Sequence, residues 1–245
     1  MAAIPEYFNT SITITALSFA LVTWLLIHIA IKKSTPAKKH FKYSAIAFSS
    51  LTAWFLIVYF TAKASVFAQN PFVAPFIMIG FILLFAILQK VYNSKTAQLI
   101  MTAIPQHWII GIQTYRIVGY SFLTLAALGF LPWLFAYSAG YGDMIVGLLA
   151  PIIALLIYFK KDSPIVKKAA IYWNYFGILD LIAAIGIGLL GYPRPIQTLP
   201  LEVSTEQLSL FPLALIPLFV VPLAFMLHLF SLKGLKSNIS KSPCV

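Results

Sequence analysis

Residues 10–31 read TSITITALSFALVTWLLIHIAI, and Lys32 and Lys33 follow at once. Twenty-two residues pass without one charged side chain. At about 1.5 Å of rise per residue they make a helix of about 33 Å, close to the roughly 30 Å hydrocarbon core of a bilayer. An apolar run of this length ending in lysines predicts a transmembrane helix. It is about twice as long as the apolar core of a signal peptide, and its basic cluster follows instead of preceding it, so a retained helix is expected.

Working outward, the same pattern recurs. Apolar runs lie near 10–31, 43–63, 71–89, 106–135, 142–159, 169–191 and 209–232. The 245 residues are 61% hydrophobic and 9% charged, with mean hydropathy +0.92. Soluble domains carry about 25% charged residues, so this chain has too little charge to cover a water-facing surface. The expected fold is all-α: residues 1–245 as a single bundle of seven transmembrane helices. Residues 94–104 are expected as a short amphipathic helix along the interface. The single cysteine, Cys244, forms no internal disulfide.

Charge placement orients the bundle. Lys32, Lys33, Lys38, Lys39, Lys42, Lys90, Lys95, Lys160, Lys161, Lys167, Lys168, Lys233, Lys236 and Lys241 all fall in alternate loops or in the tail, and they are fourteen of the 17 basic residues. The other loops hold Lys63 and Arg194. The positive-inside rule then places the N-terminus outside and the C-terminus in the cytoplasm, which needs an odd number of spans. The net charge of +11 is read as this topology signal, beside an anionic lipid surface, and not as a nucleic-acid footprint.

Ionisable residues inside a span are costly and usually mark function. Arg116 and Asp180 each sit about eleven residues into an outward-running span, so they are expected at similar depth and facing each other. Gln113 and Tyr120, three before and four after Arg116, share its face on an α-helix. Asn174 and Gly177 precede Asp180 on its own helix. Two readings stay open: a structural clasp, or a central polar site that binds or transports a small solute or ion. Asp143 follows Ala139-Gly140-Tyr141-Gly142, which reads as a turn, so it is expected to open a helix near the outer surface as a cap or an entry site.

A second constellation offers an alternative. His28, His107 and His228 lie near the cytoplasmic ends of their spans, where imidazoles could hold haem b or a metal ion in a redox protein. A third reading, an enzyme acting on lipid or quinone, lacks a recognisable nucleophile and base. HExxH, GxSxG and P-loop motifs are absent, and the seventh span has no mid-helix lysine for a retinal Schiff base. Ile104-Pro105-Gln106 is a lone Pro-Gln dipeptide without a repeat. Pro212, Pro217 and Pro222 are expected to kink the last span. Gly186, Gly188 and Gly191 mark a close helix contact, within one bundle or between two copies.

Gln113-x2-Arg116-x2-Gly119, Ala139-Gly-x-Gly-Asp143-x3-Gly147, Trp173-Asn174-x2-Gly177-x2-Asp180 and the His228-bearing end of the last span resemble an uncharacterised family of bacterial multi-spanning membrane proteins. The resemblance covers about residues 105–232. It implies an inner-membrane location and supplies neither substrate nor mechanism.

Overall fold

A computed structural model describes residues 4–68, 76–160, 162–193 and 198–239. Every regular element among them is helical. Five helical spans are individually long and apolar enough to cross a membrane, and a sixth arises if the bent pair at residues 77–102 is one span.

Helix α1 (Glu6–Ser34) carries Glu6 in its first turn and Lys32 and Lys33 in its last, both favourable to the helix dipole. Pro36 separates it from α2 (His40–Lys63). The two are tied by His28 Nδ1 and Ser44 Oγ at 2.7 Å, and by Trp24 Nε1 donating to the Ser44 carbonyl at 3.3 Å. Helices α3 (Phe76–Asn93) and α4 (Lys95–Thr102) meet at 75°. Ser94 caps α4 through Oγ, which accepts from Ala97 N–H. Ile100 and Met101 are buried while Lys95, Thr96 and Leu99 are exposed, so this short helix is two-faced.

The expected span 106–135 takes a different form. It comprises α5 (Gln106–Gly111), a 3-10 segment (Ile112–Gly119) and α6 (Tyr120–Ala127), and it ends eight residues early. Gly129, at φ +77°, closes α6. Gly129 N–H bonds to Ala126 O and Phe130 N–H to Leu125 O, both at 2.9 Å, which is the Schellman pattern that glycine favours. Helix α7 then begins at Trp133 after Pro132 and runs to Phe159. Its start is pinned by Glu202, whose carboxylate accepts from Trp133 N–H at 2.6 Å. That bond holds the Glu202 carboxyl below the usual carboxylate range.

The expected turn at 139–142 is therefore incorrect. Ala139, Gly140 and Gly142 lie inside α7 on its buried face. Their small size serves close packing instead of a turn. A Cβ on Gly140 would stand 3.2 Å from the Gly119 carbonyl oxygen, and one on Gly147 would stand 2.5 Å from Ile117 N.

Helix α8 (Pro164–Leu190) starts with Ser163 as N-cap and Pro164 in the first turn, a position that needs no N–H donor. After a 3-10 turn (Glu206–Ser209), a π-helical turn (Ile216–Val220) leads into α9 (Val221–Ile239). Pro212 precedes this helical stretch and Pro217 lies in its first turn, so it is Pro222 that removes a hydrogen bond from within it. Pro222 has no N–H to give to Leu218 O four residues back. Trp54 Nε1 fills the vacancy at 2.9 Å.

The window of Ile216–Lys236 is 78% buried, against 17–33% for the other four spans. The last helix is thus the central column. The outer helices turn apolar side chains outward, among them Phe159, Ile165, Tyr172 and Leu179. Large exposed apolar faces of this kind are expected where the surrounding solvent is hydrocarbon.

Candidate functional site

The 3-10 segment decides which side chains reach the centre. With three residues per turn, positions 113, 116 and 119 align on one face. Gln113, Arg116 and Gly119 are its buried residues. Tyr120 would share that face on an α-helix, but in this geometry it points away and is 54% exposed. It leaves the candidate site.

Arg116 is buried, and all three of its side-chain nitrogens have partners. Nε donates to Asp143 Oδ1 at 2.6 Å, and Nη2 donates to Asp180 Oδ2. Nη1 donates to the Gly177 carbonyl at 3.4 Å and faces His228 Nε2 at 3.2 Å. Asp143 is the eleventh residue of α7, not the first, so its expected role as a cap at a helix start is corrected. It and Asp180, from α8, take the two sides of one guanidinium.

Glycines make this convergence sterically feasible. A Cβ on Gly142 would collide with the Asp180 carboxylate, and one on Gly119 with the Asp143 side chain. A Cβ on Gly177 would stand 2.5 Å from His228 Cε1. The charged groups occupy the volume that side chains at these positions would fill.

A polar chain leads from this cluster toward the lysine-bearing end of the bundle. His228 Nδ1 meets Asn174 Oδ1 at 2.9 Å. Asn174 Nδ2 donates to Ala170 O at 2.8 Å and to Ser231 Oγ at 3.1 Å. Ser231 Oγ–H donates to Gln106 Oε1 at 3.0 Å. These partners assign the histidine tautomer. Asn174 spends its amide hydrogens elsewhere, so its oxygen must accept from His228 Nδ1–H. Nε2 is left as an acceptor toward Arg116, which can only donate, and the imidazole is neutral. The Trp173 ring packs 5.1 Å from that of His228.

Gln113 Nε2 donates to Ala224 O at 3.2 Å, whereas its Oε1 is buried without a hydrogen-bond partner. Two cavities of about 50 Å³ border the cluster, and Asp143 lines both. Each is large enough for water molecules. One extends past Phe122 and Leu181 toward Tyr192 and Thr205, at the end away from the lysine-rich loops.

The three histidines of the alternative site do not converge on one another. His28 bonds to Ser44, the His107 ring lies 5.0 Å from Tyr158, and His228 belongs to the central network. No group of three or more His, Cys, Asp or Glu suited to a metal occurs among the described residues. Ser231 and Gln106 were not expected in the site. A signal for Ser231 lies in the sequence, because it follows His228 by three positions on the same helical face.

A family model, a domain of unknown function designated DUF8737, matches residues 71–236, so the chain belongs to that family. The matched region contains every residue of the central network and begins upstream of the quoted motifs. No curated protein and no solved structure matches the chain.

Proposed function

We propose that this protein is a multi-pass protein of the cell inner membrane that binds and moves a small solute or ion at its central charge cluster, and that the ion it moves is a proton. In this reading the segment 106–127 is a composite crossing that completes seven spans, and the lysine-rich loops are cytoplasmic. The observation that carries it is a count of charge. One guanidinium faces two carboxylates, and the histidine beside them is neutral. Fully ionised, the cluster holds one uncompensated negative charge deep in the bundle.

Such a charge is costly in a low-dielectric interior and is relieved by neutralisation or by a counter-ion. A metal cation would need a shell of oxygen ligands. One cavity beside Asp143 is walled by Phe122, Phe135 and Leu181, and the other sets the Arg116 cation against it, with only the hydroxyl residues Thr15, Tyr115 and Ser121. A proton on one carboxylate balances the cluster without further ligands. Arg116 already has Asp143 and Asp180 on its fork, so an anionic substrate would have to displace a carboxylate. This favours proton exchange on the acids over anion capture by the arginine. Asp143, with 19% of its side chain exposed, borders the cavities and is the natural point of entry. An amide relays protons poorly, so the Asn174 branch holds His228 in place and does not conduct.

The test is proton flux in vesicles reconstituted with the full chain, read by an internal pH dye under an imposed membrane potential. The wild type is expected to acidify the lumen faster than protein-free vesicles. The Asp143→Asn, Asp180→Asn double variant is expected to fall to the protein-free rate. Equal flux through wild type and double variant would remove the acids from the mechanism.

A further inference from the structure

On another face of the central column lies a much larger cleft, of about 890 Å³, between α1, α2, α3, α4 and α9. Its volume is typical of a ligand pocket, about 300–1,000 Å³. Its walls are almost wholly apolar, and among the described residues no carboxylate lines them. Along α2 it runs from Tyr43 to Val58, about 22 Å at 1.5 Å per residue. A single leaflet contributes about 15 Å of hydrocarbon, so one acyl chain fits with length left for a headgroup.

The polar end of the cleft is cationic. Ser94 and Thr96 line it, flanking Lys95 at the start of α4. The first N–H groups of α4 have no partners within their own helix, apart from the one that Ser94 caps. Lys39 Nζ stands 6.0 Å from the Tyr43 ring centre, and Tyr43 lines the same mouth. Lys233 Nζ stands 5.4 Å from the Tyr92 ring, which packs on the cleft residue Phe230. A second observation comes from within. Thr23 is 1% exposed, lines the cleft, and has an Oγ1 with no hydrogen-bond partner.

We infer that this cleft is a binding site for an anionic phospholipid of the lysine-side leaflet, its phosphate held at the α4 N-terminus by Lys39, Lys95 and Lys233 and an acyl chain laid against α9. Charge complementarity selects the headgroup: Lys39, Lys95 and Lys233 each lie beside a residue of the cleft or of its packing shell, and among the described residues no acid lines the mouth. Depth separates this lipid from the general annulus, because the floor is Leu223, Met226 and Leu227 of the central column. Leu227 precedes His228, so the occupant bears on the helix that positions the charge cluster. The inference rests on the membrane reading above and not on proton exchange.

The experiment is native mass spectrometry of the full chain released from detergent and titrated with phosphatidylglycerol or phosphatidylcholine. One phosphatidylglycerol per chain is expected to bind in preference to phosphatidylcholine. Removing the mouth charges as Lys39→Gln and Lys95→Gln should weaken it about fivefold for each lysine. Ala47→Trp, which fills the cleft, should abolish the adduct. Equal retention of the two lipids, or phosphatidylglycerol binding untouched by Ala47→Trp, overturns the site. A chain that stays monodisperse without detergent would fail the membrane reading itself, a separate outcome.

Discussion

Arg116→Gln is expected to destabilise the protein far more than either Asp143→Asn or Asp180→Asn. Removing the guanidinium leaves two carboxylates facing each other in the bundle interior. Breaking a buried ion pair from one side typically costs about 3–5 kcal/mol, because the surviving charge loses its partner and cannot recover water. Each asparagine variant still pairs one acid with one guanidinium, and the amide can keep accepting from Arg116. Those variants should therefore fold with only modest loss. The triple variant Arg116→Gln, Asp143→Asn, Asp180→Asn should recover most of the stability lost by Arg116→Gln alone. Thermal unfolding of detergent-purified protein, followed by size-exclusion profiles, reads all four. A plain clasp between α8 and the 3-10 segment would instead make Asp180→Asn as damaging as Arg116→Gln.

The second large effect concerns packing. Gly147→Ala places a methyl group 2.5 Å from Ile117 N and 2.9 Å from the Arg116 carbonyl carbon. Both neighbours are main chain, so no rotamer change relieves the clash, and α7 must move away from the segment that carries Arg116. Overpacking of this kind costs about 1–3 kcal/mol. The same displacement pulls Asp143 off the guanidinium, so flux should fall in Gly147→Ala even in protein that still folds. Gly186→Ala is the control, since a Cβ there meets nothing within 4 Å. It should match wild type in melting and in flux, measured side by side with Gly147→Ala.

These two expectations also show what was legible in the residues. The apolar runs announce the long helices, because a span of about 20 uncharged residues has few other physical uses. Arg116 and Asp180 could be placed opposite one another by depth alone. What failed was local. Gly140 and Gly142 read as a turn because glycine permits one, yet here its missing side chain admits the Asp180 carboxylate. The turn that does occur, at Gly129 and Pro132, carries the paired Gly-then-Pro signal of a helix end and a new start. It was masked by the apolar Phe130 and Leu131 between them. That misplacement moved Asp143 from the heart of the site to its rim.

Tyr120 departs from the face expected for it for a related reason. An i, i+4 spacing presumes 3.6 residues per turn, and the 3-10 segment replaces it with an i, i+3 register that selects Gln113, Arg116 and Gly119. Nothing in those residues alone announces the change of period. His228 was legible as a polar residue in an apolar helix. Its partners were not, because the central position of α9 is a property of the assembled bundle. Its network with Asn174, Ser231 and Gln106 joins three helices that only packing brings together.

The account turns on a proton shared within the cluster of Arg116, Asp143 and Asp180. The chain has six carboxylate side chains, few enough for infrared spectroscopy to resolve. The decisive measurement is a pH-difference infrared spectrum of the protein in lipid nanodiscs, observing the carbonyl stretch of a protonated carboxylic acid. The account predicts one such band near neutral pH, lost on alkalinisation. It should also vanish in Asp143→Asn and in Asp180→Asn, where the remaining acid pairs with Arg116 as a carboxylate. A cluster with no protonated carboxyl at any pH that leaves the protein folded, or a band that survives the double substitution, would contradict it.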